Sequence, residues 1–161
     1  MPKGPRIFIE GACYHITARG NNRQRIFKDN EDHEKYLTFL KKYKKRYRPS
    51  IYGYCLMPNH VHLVLGIGKK IGLVSVMRSL QRAYSSYFSR KYRFSGHLWQ
   101  GRFKSKVILR DRYLIDCITY VEANPLRANM VSSIHEYTWS SYRERVFDVK
   151  QGIVDDIEAI L

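Results

Sequence analysis

Two histidines separated by one apolar residue carry the clearest chemical signal in this chain. They are His60 and His62, inside the segment MPNHVHLVL at residues 57–65. In a β-strand alternate side chains share a face, so both imidazoles would project the same way while the apolar residues between and after them enter a core. Two adjacent imidazoles on a rigid strand can bind a divalent metal ion. The alternative is a pair of histidines that only hydrogen-bond to neighbouring groups.

A tyrosine and an asparagine form a second candidate cluster, at Tyr120 and Asn124. The apolar spacing over residues 112–124 predicts a helix, in which residues four apart lie on one face, and Pro125 ends or bends that helix. The phenol of Tyr120 can attack phosphorus as a nucleophile. The amide oxygen of Asn124 can join the two imidazoles as a third metal ligand, which leaves positions for a phosphate oxygen and water. This mixed ligand set suits Mn²⁺ somewhat better than Mg²⁺.

Other tyrosines could serve instead, because the chain has 13 of them and a Tyr–Asn pair at this spacing is common. A purely structural role for Tyr120 therefore stays open. By position alone, Tyr84, Tyr87 and Tyr113 are alternative nucleophiles. Glu122 points away from Tyr120 on a helix and is expected to be an ordinary surface carboxylate.

The charge of the chain predicts a polyanionic partner. Lysine and arginine number 29 against 14 aspartate and glutamate residues, which gives a net charge of +15 and a pI near 9.9. Aromatic residues make up 14% of the chain, and this combination with basic residues suits single-stranded nucleic acid. By charge, stacking surface or capacity to read base edges, the candidate DNA-binding residues are Arg19, Asn21, Arg23, Arg82, Trp99, Gln100, Arg102 and Lys104. For Trp99, burial in the core is an equal alternative.

Membrane association and secretion are not expected. The sequence contains no helix that is basic on one side and strongly apolar on the other, and no apolar run of about 18 residues. The three cysteines, Cys13, Cys55 and Cys117, are widely spaced in apolar stretches, which is typical of buried thiols in a reducing compartment. The first residues lack the apolar core of a secretory signal. We therefore expect a cytoplasmic, nucleoid-associated protein.

The chain length fits one domain at residues 1–147 followed by a tail at 148–161. The hydrophobic periodicity and turn residues predict strands at 12–18, 51–56, 60–65 and 100–109, and helices at 30–47, 73–88 and 112–124. The order β-α-β-β-α-β plus a third helix predicts an α+β, ferredoxin-like antiparallel sheet with two helices on one face. The third helix, which carries Tyr120, is then available to cover the other face. In this topology the histidine strand is central and lies beside the strand of His15, which either hydrogen-bonds beside the metal or only fills the sheet.

Five motifs, spread in order over roughly residues 10–145, resemble the REP-associated tyrosine transposases, which belong with the IS200-like enzymes to the HUH group of single-strand transposases. The motifs are RGN at 19–21, MPNHVH at 57–62, HLWQGRF at 97–103, YVEANPLRA at 120–128 and WSSY at 139–142. The resemblance implies a metal-dependent endonuclease and strand transferase that acts on single-stranded DNA, often at a hairpin, through a 5′-phosphotyrosine intermediate.

The resemblance also implies roles for four residues. His60 and His62 match the histidine pair, and Tyr120 matches the single catalytic tyrosine. Asn124 stands where related insertion-sequence transposases carry a glutamine ligand, so its amide oxygen is kept on an arm that is one carbon shorter. The implied cofactor is Mg²⁺ or Mn²⁺, and the implied partner is single-stranded DNA with a hairpin.

Two other functions stay compatible with the sequence. One is a non-catalytic ferredoxin-like module that binds structured single-stranded nucleic acid. The other is a hydrolase in which metal-bound water attacks and no covalent intermediate forms. The oligomeric state is open between monomer and homodimer: related insertion-sequence enzymes exchange tyrosine helices as dimers, whereas REP-associated members act alone.

Overall fold

The protein is built on a four-stranded antiparallel sheet with strand order β2-β3-β1-β4. The computed structural model describes residues 6–68, 70–109, 111–147 and 151–157. The strands are β1 (Cys13–Arg19), β2 (Ser50–Met57), β3 (His60–Gly66) and β4 (Lys104–Ile108). The helices are α1 (Asn30–Tyr47), α2 (Lys70–Tyr92), α3 (Asp111–Glu122), α4 (Asn124–Arg127) and α5 (Tyr142–Val146). This arrangement confirms the predicted α+β ferredoxin-like fold, with β1 and β3 at the centre.

One face of the sheet holds the larger core, which α1 and α2 cover. Alternation along the strands turns Ile16 of β1 and Leu63 of β3 to this face, where both are fully buried. Tyr36 and Leu40 from α1 and Tyr84 from α2 fill the layer above them. Burying this much apolar and aromatic surface is the main source of stability in a domain of this size.

Helix α1 has the ends that its sequence predicts. The Asp29 carboxylate accepts a hydrogen bond from the backbone N–H of Asp32 at 3.0 Å and caps the first turn. At the other end Arg48 adopts a left-handed conformation with φ of 57°, and Pro49 follows. This sequence of a left-handed residue and a proline is a common helix stop.

Helix α3 covers the opposite face of the sheet, as predicted. Leu114, Ile118 and Val121 pack against the β2 residues Tyr52 and Cys55 in a second, smaller cluster. Among the described residues no helix is long and apolar enough to cross a lipid bilayer.

Two element boundaries differ from the prediction. Strand β4 begins at Lys104 rather than at residue 100, because Gly101 turns the chain with a positive φ of 61°. Helix α3 ends at Glu122 rather than at Asn124, and α4 starts after the break. Pro125 has no backbone N–H to continue the helical ladder, which explains the break.

The expectation for Glu122 is wrong. Its side chain is buried, accepts a hydrogen bond from the Ser141 hydroxyl at 2.6 Å, and pairs with Arg145 at 3.0 Å. Arg145 also donates to the backbone carbonyl of Tyr52. This network ties the end of α3 to β2 and α5. The Glu122 side chain turns away from Tyr120 and is buried because Arg145, from a later segment of the chain, supplies its counter-charge.

The described part of the predicted tail, residues 151–157, packs on the domain. Ile153 is fully buried in the larger core, and Asp155 accepts hydrogen bonds from the Lys44 ammonium and the Ile51 backbone N–H. Residues 148–150 and 158–161 of that tail lie outside the described residues.

Candidate active site

The two histidines of β3 project towards the face that α3 covers. Their ring centroids are 4.9 Å apart, and His62 is buried while His60 is half-buried. The alternate residues Val61, Leu63 and Leu65 point to the larger core, as the alternation predicts. The central position of β3 therefore presents two neighbouring imidazoles on a rigid support.

Asn59 fixes the orientation of the first imidazole. Its side-chain amide donates to the Arg23 carbonyl at 3.3 Å, so its oxygen faces His60, whose Nδ1 lies 2.7 Å away. Because an amide oxygen only accepts hydrogen bonds, Nδ1 of His60 must carry the proton. The neutral ring then has its lone pair on Nε2, which makes no hydrogen bond with any residue the structure describes.

His15 orients the second imidazole in a similar way. Its Nε2 lies 2.9 Å from Nδ1 of His62, and the two rings stack with centroids 5.1 Å apart. When His62 donates through Nδ1, its Nε2 also offers a lone pair. From the sequence, His15 could either hydrogen-bond beside a metal site or only fill the sheet. Its contact with His62 matches the first of these roles. A partner on the far nitrogen is what usually orients a metal-binding histidine.

Burial keeps these imidazoles neutral. It lowers the pKa of His62 to about 3, with added repulsion from His60 and His15, and lowers the pKa of His60 to about 4, with added repulsion from Arg19. The pKa of His15 is also lowered, by burial and then by the charge of Lys106. The neutral form is the one that binds metal ions.

Tyr120 lies beside these histidines in the same chain. Its ring is 6.2 Å from the ring of His15 in an edge-to-face arrangement, and about half of the side chain (52%) is exposed. The aromatic series Tyr120, His15, His62 and His60 is therefore continuous across α3, β1 and β3. Tyr120 is therefore connected to the histidine pair through the ring of His15.

The alternative tyrosines lie in different surroundings. Tyr84 is fully buried in the larger core, where it donates to the Ile26 carbonyl and burial raises its pKa. Tyr87 is also on α2, on the far side of the sheet, and donates to the carboxylate of Asp32 at 2.8 Å. Tyr113 is exposed on α3, and its ring contacts no histidine among the described residues.

Asn124 caps the break in the tyrosine helix. Since Pro125 cannot donate, the Val121 carbonyl lacks its usual helical partner, and the Asn124 amide nitrogen lies 3.3 Å from that oxygen and 3.5 Å from the Tyr120 oxygen. The amide oxygen makes no hydrogen bond with any described residue. The amide nitrogen of Asn124 therefore has a structural role, and its amide oxygen remains available as an acceptor.

The predicted DNA-binding residues fall into two neighbouring regions. Asn21, Arg82 and Trp99 line one cavity of about 480 Å³. Arg102 and Lys104 line a groove of about 910 Å³. This groove also reaches His15 and therefore the neighbourhood of Tyr120.

Backbone contacts connect the remaining members of the set. The N–H of Gln100 donates to the Arg19 carbonyl at 2.8 Å, and the carbonyl of Arg23 receives the Asn59 amide. Trp99 is partly buried and donates through Nε1 to the Gln81 carbonyl at 3.0 Å, so much of its ring serves packing. These loops meet at the end of the sheet that bears His60.

Gly20 allows the loop with Asn21 and Arg23 to turn tightly. A Cβ atom at Gly20 would lie 2.4 Å from the Gln24 carbonyl oxygen, a distance that no side chain tolerates. The Gly20 backbone N–H donates to the Asn59 carbonyl at 2.8 Å. The glycine therefore brings this loop into contact with the residue that orients His60.

Sequence reasoning missed two residues of the site. Arg127 places its guanidinium 3.8 Å from the centre of the Tyr120 ring, and Asn59 orients His60. Both belong to the recognisable motifs YVEANPLRA and MPNHVH, so motif membership was a usable signal. The spacing of residues along the chain predicts neither role, because both roles depend on loop geometry.

The described residues contain no cluster of three or more His, Cys, Asp or Glu side chains placed to hold a metal ion. A metal at the histidine pair would therefore need a different third ligand, such as an amide oxygen. The three cysteines, all among the described residues, form no disulfide with one another.

These features define a class of protein in which the central strand of a ferredoxin-like sheet presents paired histidines beside a helix that carries a tyrosine. The family model for IS200-like transposases matches residues 9–124. The chain belongs to this family. It is therefore an enzyme of the transposase class, which acts on DNA.

Individual relatives point the same way. A protein of Haemophilus influenzae assigned to the REP-associated tyrosine transposases is 25% identical over 92% of this chain and 88% of its own. The solved structure of a REP-associated tyrosine transposase bound to a REP hairpin superposes with a TM-score of 0.77 at 18% identity, over 97% of this chain and 95% of that one. A structure assigned as a transposase from Deinococcus radiodurans has a TM-score of 0.51 at 19% identity, over 76% and 96%. The resemblance to REP-associated tyrosine transposases is thereby confirmed.

Proposed function

We propose that this transposase is a metal-dependent single-stranded DNA endonuclease and strand transferase that acts on hairpin-containing DNA through a 5′-phosphotyrosine intermediate. One observation carries the proposal: Tyr120 lies beside His15, whose other ring contact is His62 of the neutral histidine pair. A nucleophile and a metal-binding pair from distant parts of the chain share one surface.

The histidine pair fits a divalent metal ion. Both imidazoles are neutral, and both keep Nε2 available because Asn59 and His15 occupy the Nδ1 atoms. The unbonded amide oxygen of Asn124 is the proposed third ligand. Nitrogen with oxygen donors suits Mn²⁺ or Mg²⁺, and the bound ion would polarise the scissile phosphate and offset its developing negative charge.

The residues of the chain account for the covalent step. The phenol oxygen of Tyr120 attacks phosphorus, its proton passes to solvent, the bond from phosphorus to the 3′-oxygen breaks, and that oxygen takes a proton. One phosphodiester replaces another, so little free energy is lost and a 3′-hydroxyl from a second strand can reverse the reaction. The partial exposure of Tyr120 gives a DNA strand direct access to the phenol.

The basic groove supplies a path for the single-stranded part of the substrate. The groove of about 910 Å³ is lined by Arg102, Lys104 and Lys106, and no carboxylate is among the described residues that line it. Cations without a protein counter-ion favour a phosphate backbone. Because His15 also lines it, the groove leads to the reacting groups. The cavity around Asn21, Arg82 and Trp99 is the proposed contact for the bases or the hairpin end.

A single chain holds all the proposed catalytic groups. The tyrosine helix is tied to its own sheet by the buried pair of Glu122 and Arg145. We therefore propose that a monomer is competent and that no exchange of helices within a homodimer is needed. A DNA-acting enzyme of this kind would work in the cytoplasm, at the nucleoid.

The covalent adduct tests this function. A labelled oligonucleotide with a hairpin and a single-stranded flank is incubated with the protein and Mn²⁺ or Mg²⁺ and run on a denaturing gel. We expect a labelled band at protein mass that is absent with Tyr120→Phe and with EDTA. Tyr113→Phe, an exposed tyrosine on the same helix, is the matched control and should keep the adduct.

The other outcomes identify the competing functions. An adduct that persists in Tyr120→Phe would place the nucleophile elsewhere. Cleavage without any adduct would indicate attack by water, and tight binding without cleavage would indicate a non-catalytic module.

Removing the Tyr120 hydroxyl should change stability little, because that hydroxyl makes no hydrogen bond with a described residue.

A further inference from the structure

The guanidinium of Arg127 is held against the nucleophile. Its carbon lies 3.8 Å from the centre of the Tyr120 ring, and one of its amino groups donates to the Tyr120 backbone carbonyl at 2.7 Å. The other N–H groups make no hydrogen bond or ion pair with the residues that the structure describes. An arginine offers five donors in a planar fork, so most of them remain available to a ligand.

The helix break explains how Arg127 reaches this place. Because Pro125 interrupts the ladder, α4 begins a new turn at Asn124, and the backbone N–H of Arg127 donates to the Ala123 carbonyl at 3.0 Å. The side chain then folds back over the Tyr120 ring. The Tyr120 carbonyl gains a donor that the interrupted helix does not supply.

The charge of Arg127 is not neutralised by Glu122, the acid nearest to it in sequence. Glu122 is buried and already paired with Arg145. Arg127 lies on Tyr120, whose ring contacts His15, and Arg19 is the β1 residue that pairs with His60 of β3. Two arginines from separate elements therefore lie beside the cluster of Tyr120 and the histidines, and neither forms an ion pair with an acid among the described residues, which favours an anion at this site.

We propose that Arg127 is a catalytic residue that binds a non-bridging oxygen of the scissile phosphate and holds that phosphate against the Tyr120 phenol. This inference rests on the proposed function. As the bond from the Tyr120 oxygen to phosphorus forms and the bond to the 3′-oxygen breaks, negative charge grows on the phosphate oxygens. A fixed guanidinium stabilises that charge more than the charge of the ground state.

A structural role is the competing explanation. Arg127 could act only by capping the Tyr120 carbonyl and packing on the ring, in which case its loss would disturb the phenol whatever the charge of the substrate. A methylphosphonate at the scissile position separates the two roles. It replaces one non-bridging oxygen by a methyl group and removes the negative charge while the bonds that form and break stay the same.

The experiment measures single-turnover rates of adduct formation on the phosphodiester and on the methylphosphonate, with the whole chain and Mn²⁺. We expect Arg127→Ala and Arg127→Gln to slow the phosphodiester reaction by about 100-fold and the methylphosphonate reaction by less than about 5-fold. Arg127→Gln keeps amide donors near the Tyr120 carbonyl, so it serves if the alanine variant loses its circular dichroism spectrum. Fluorescence anisotropy in EDTA should show hairpin affinity changed by less than about 3-fold, which assigns the loss to the chemical step.

Arg46→Ala is the matched control, because its guanidinium also lies over a tyrosine, Tyr47, at 5.3 Å but on α1 at the opposite face. It should react like the wild type on both substrates. Equal slowing of both substrates by the Arg127 variants would overturn the inference and leave the proposed function intact. A wild-type chain that forms no adduct on the phosphodiester would overturn the proposed function and this inference with it.

Discussion

The two faces of the central sheet are built from the same four strands but differ in composition and in task. The face under α1 and α2 is filled with fully buried apolar and aromatic side chains such as Leu63 and Tyr84. The face under α3 is only partly apolar and carries His15 and His62, and His15 contacts the exposed Tyr120 of α3. Because side chains alternate along a strand, one strand can contribute to stability on one side and chemistry on the other.

The two faces also differ in how their polar groups are hydrogen-bonded. On the larger face, Asp32 is a buried carboxylate that satisfies the tyrosines and lysine between α1 and α2. On the α3 face, Glu122 is satisfied, but the Nε2 atoms of the histidines and most donors of Arg127 are not. The larger face also holds an unpaired group, the Tyr36 hydroxyl, but that hydroxyl is fully buried, whereas the unpaired groups of the α3 face lie beside the exposed Tyr120, where a ligand can reach them.

Substitutions at two neighbouring residues of β3 should show the largest difference between the two faces. His62→Ala should reduce adduct formation by about 100-fold or more because it removes a proposed metal ligand. Leu63→Ala should instead lower the free energy of unfolding by about 2–5 kcal/mol through a cavity in the larger core, and leave the adduct intact where the protein is still folded. Urea titrations and adduct rates on the same samples check both. The contrast fails if Leu63→Ala costs little stability and abolishes the adduct.

The buried pair that fixes the tyrosine helix should give the next largest effect. Arg145→Ala leaves the Glu122 carboxylate buried without its cation and should cost about 2–3 kcal/mol, somewhat less than a fully buried pair because Arg145 is partly exposed. Replacing both partners, as in Glu122→Gln with Arg145→Met, should recover part of that loss. Thermal unfolding of the single and double variants measures the coupling. Additive losses would show that the pair does not act as a unit.

Acid should act on the larger face through Asp32. Burial alone would raise the pKa of this carboxyl, but hydrogen bonds from Tyr92, the Lys28 backbone, Lys91 and Tyr87 lower it to about 2. A lowered folded-state pKa contributes stability above the unfolded value of about 4, and that stability, about 2 kcal/mol, is lost as the pH falls from 4 towards 2.

Urea midpoints between pH 2.5 and 7 measure this contribution. Asp32→Asn should be less stable at neutral pH and should show a smaller decrease below pH 4 than the wild type. Equal decreases in the two proteins would assign the acid sensitivity to other carboxyls.

The smallest expected effect concerns the basic groove on the α3 face. Lys104→Ala should weaken binding of the hairpin oligonucleotide a few-fold and lower the slope of log Kd against log salt concentration by about 0.7, the value for one phosphate contact on single-stranded DNA. Lys41→Ala, an exposed lysine on α1, is the control and should leave the slope unchanged. A slope that responds equally to both variants would mean that the charge of the chain acts without a defined groove.

Local patterns determined much of the fold and part of the site. The alternation in MPNHVHLVL predicted β3 and the common direction of its histidines, and the spacing of apolar residues predicted α1 and α3. The βαββαβ order then predicted the strand neighbours, because few sheet topologies are compatible with it. Each of these inferences uses only the period of a strand or helix, which a linear sequence displays directly.

Tertiary structure alone decided which groups surround Tyr120 and which carboxylate is buried. His15 and His62 are separated by 47 residues and Glu122 and Arg145 by 23, so no local period connects either pair. The burial of Glu122 depends on a cation that α5 brings to the end of α3, and the position of Arg127 depends on the direction of the chain after Pro125. Hydrophobic periodicity is a property of neighbours along the chain, whereas the pairing of charges and rings depends on distances that exist only once the chain has folded.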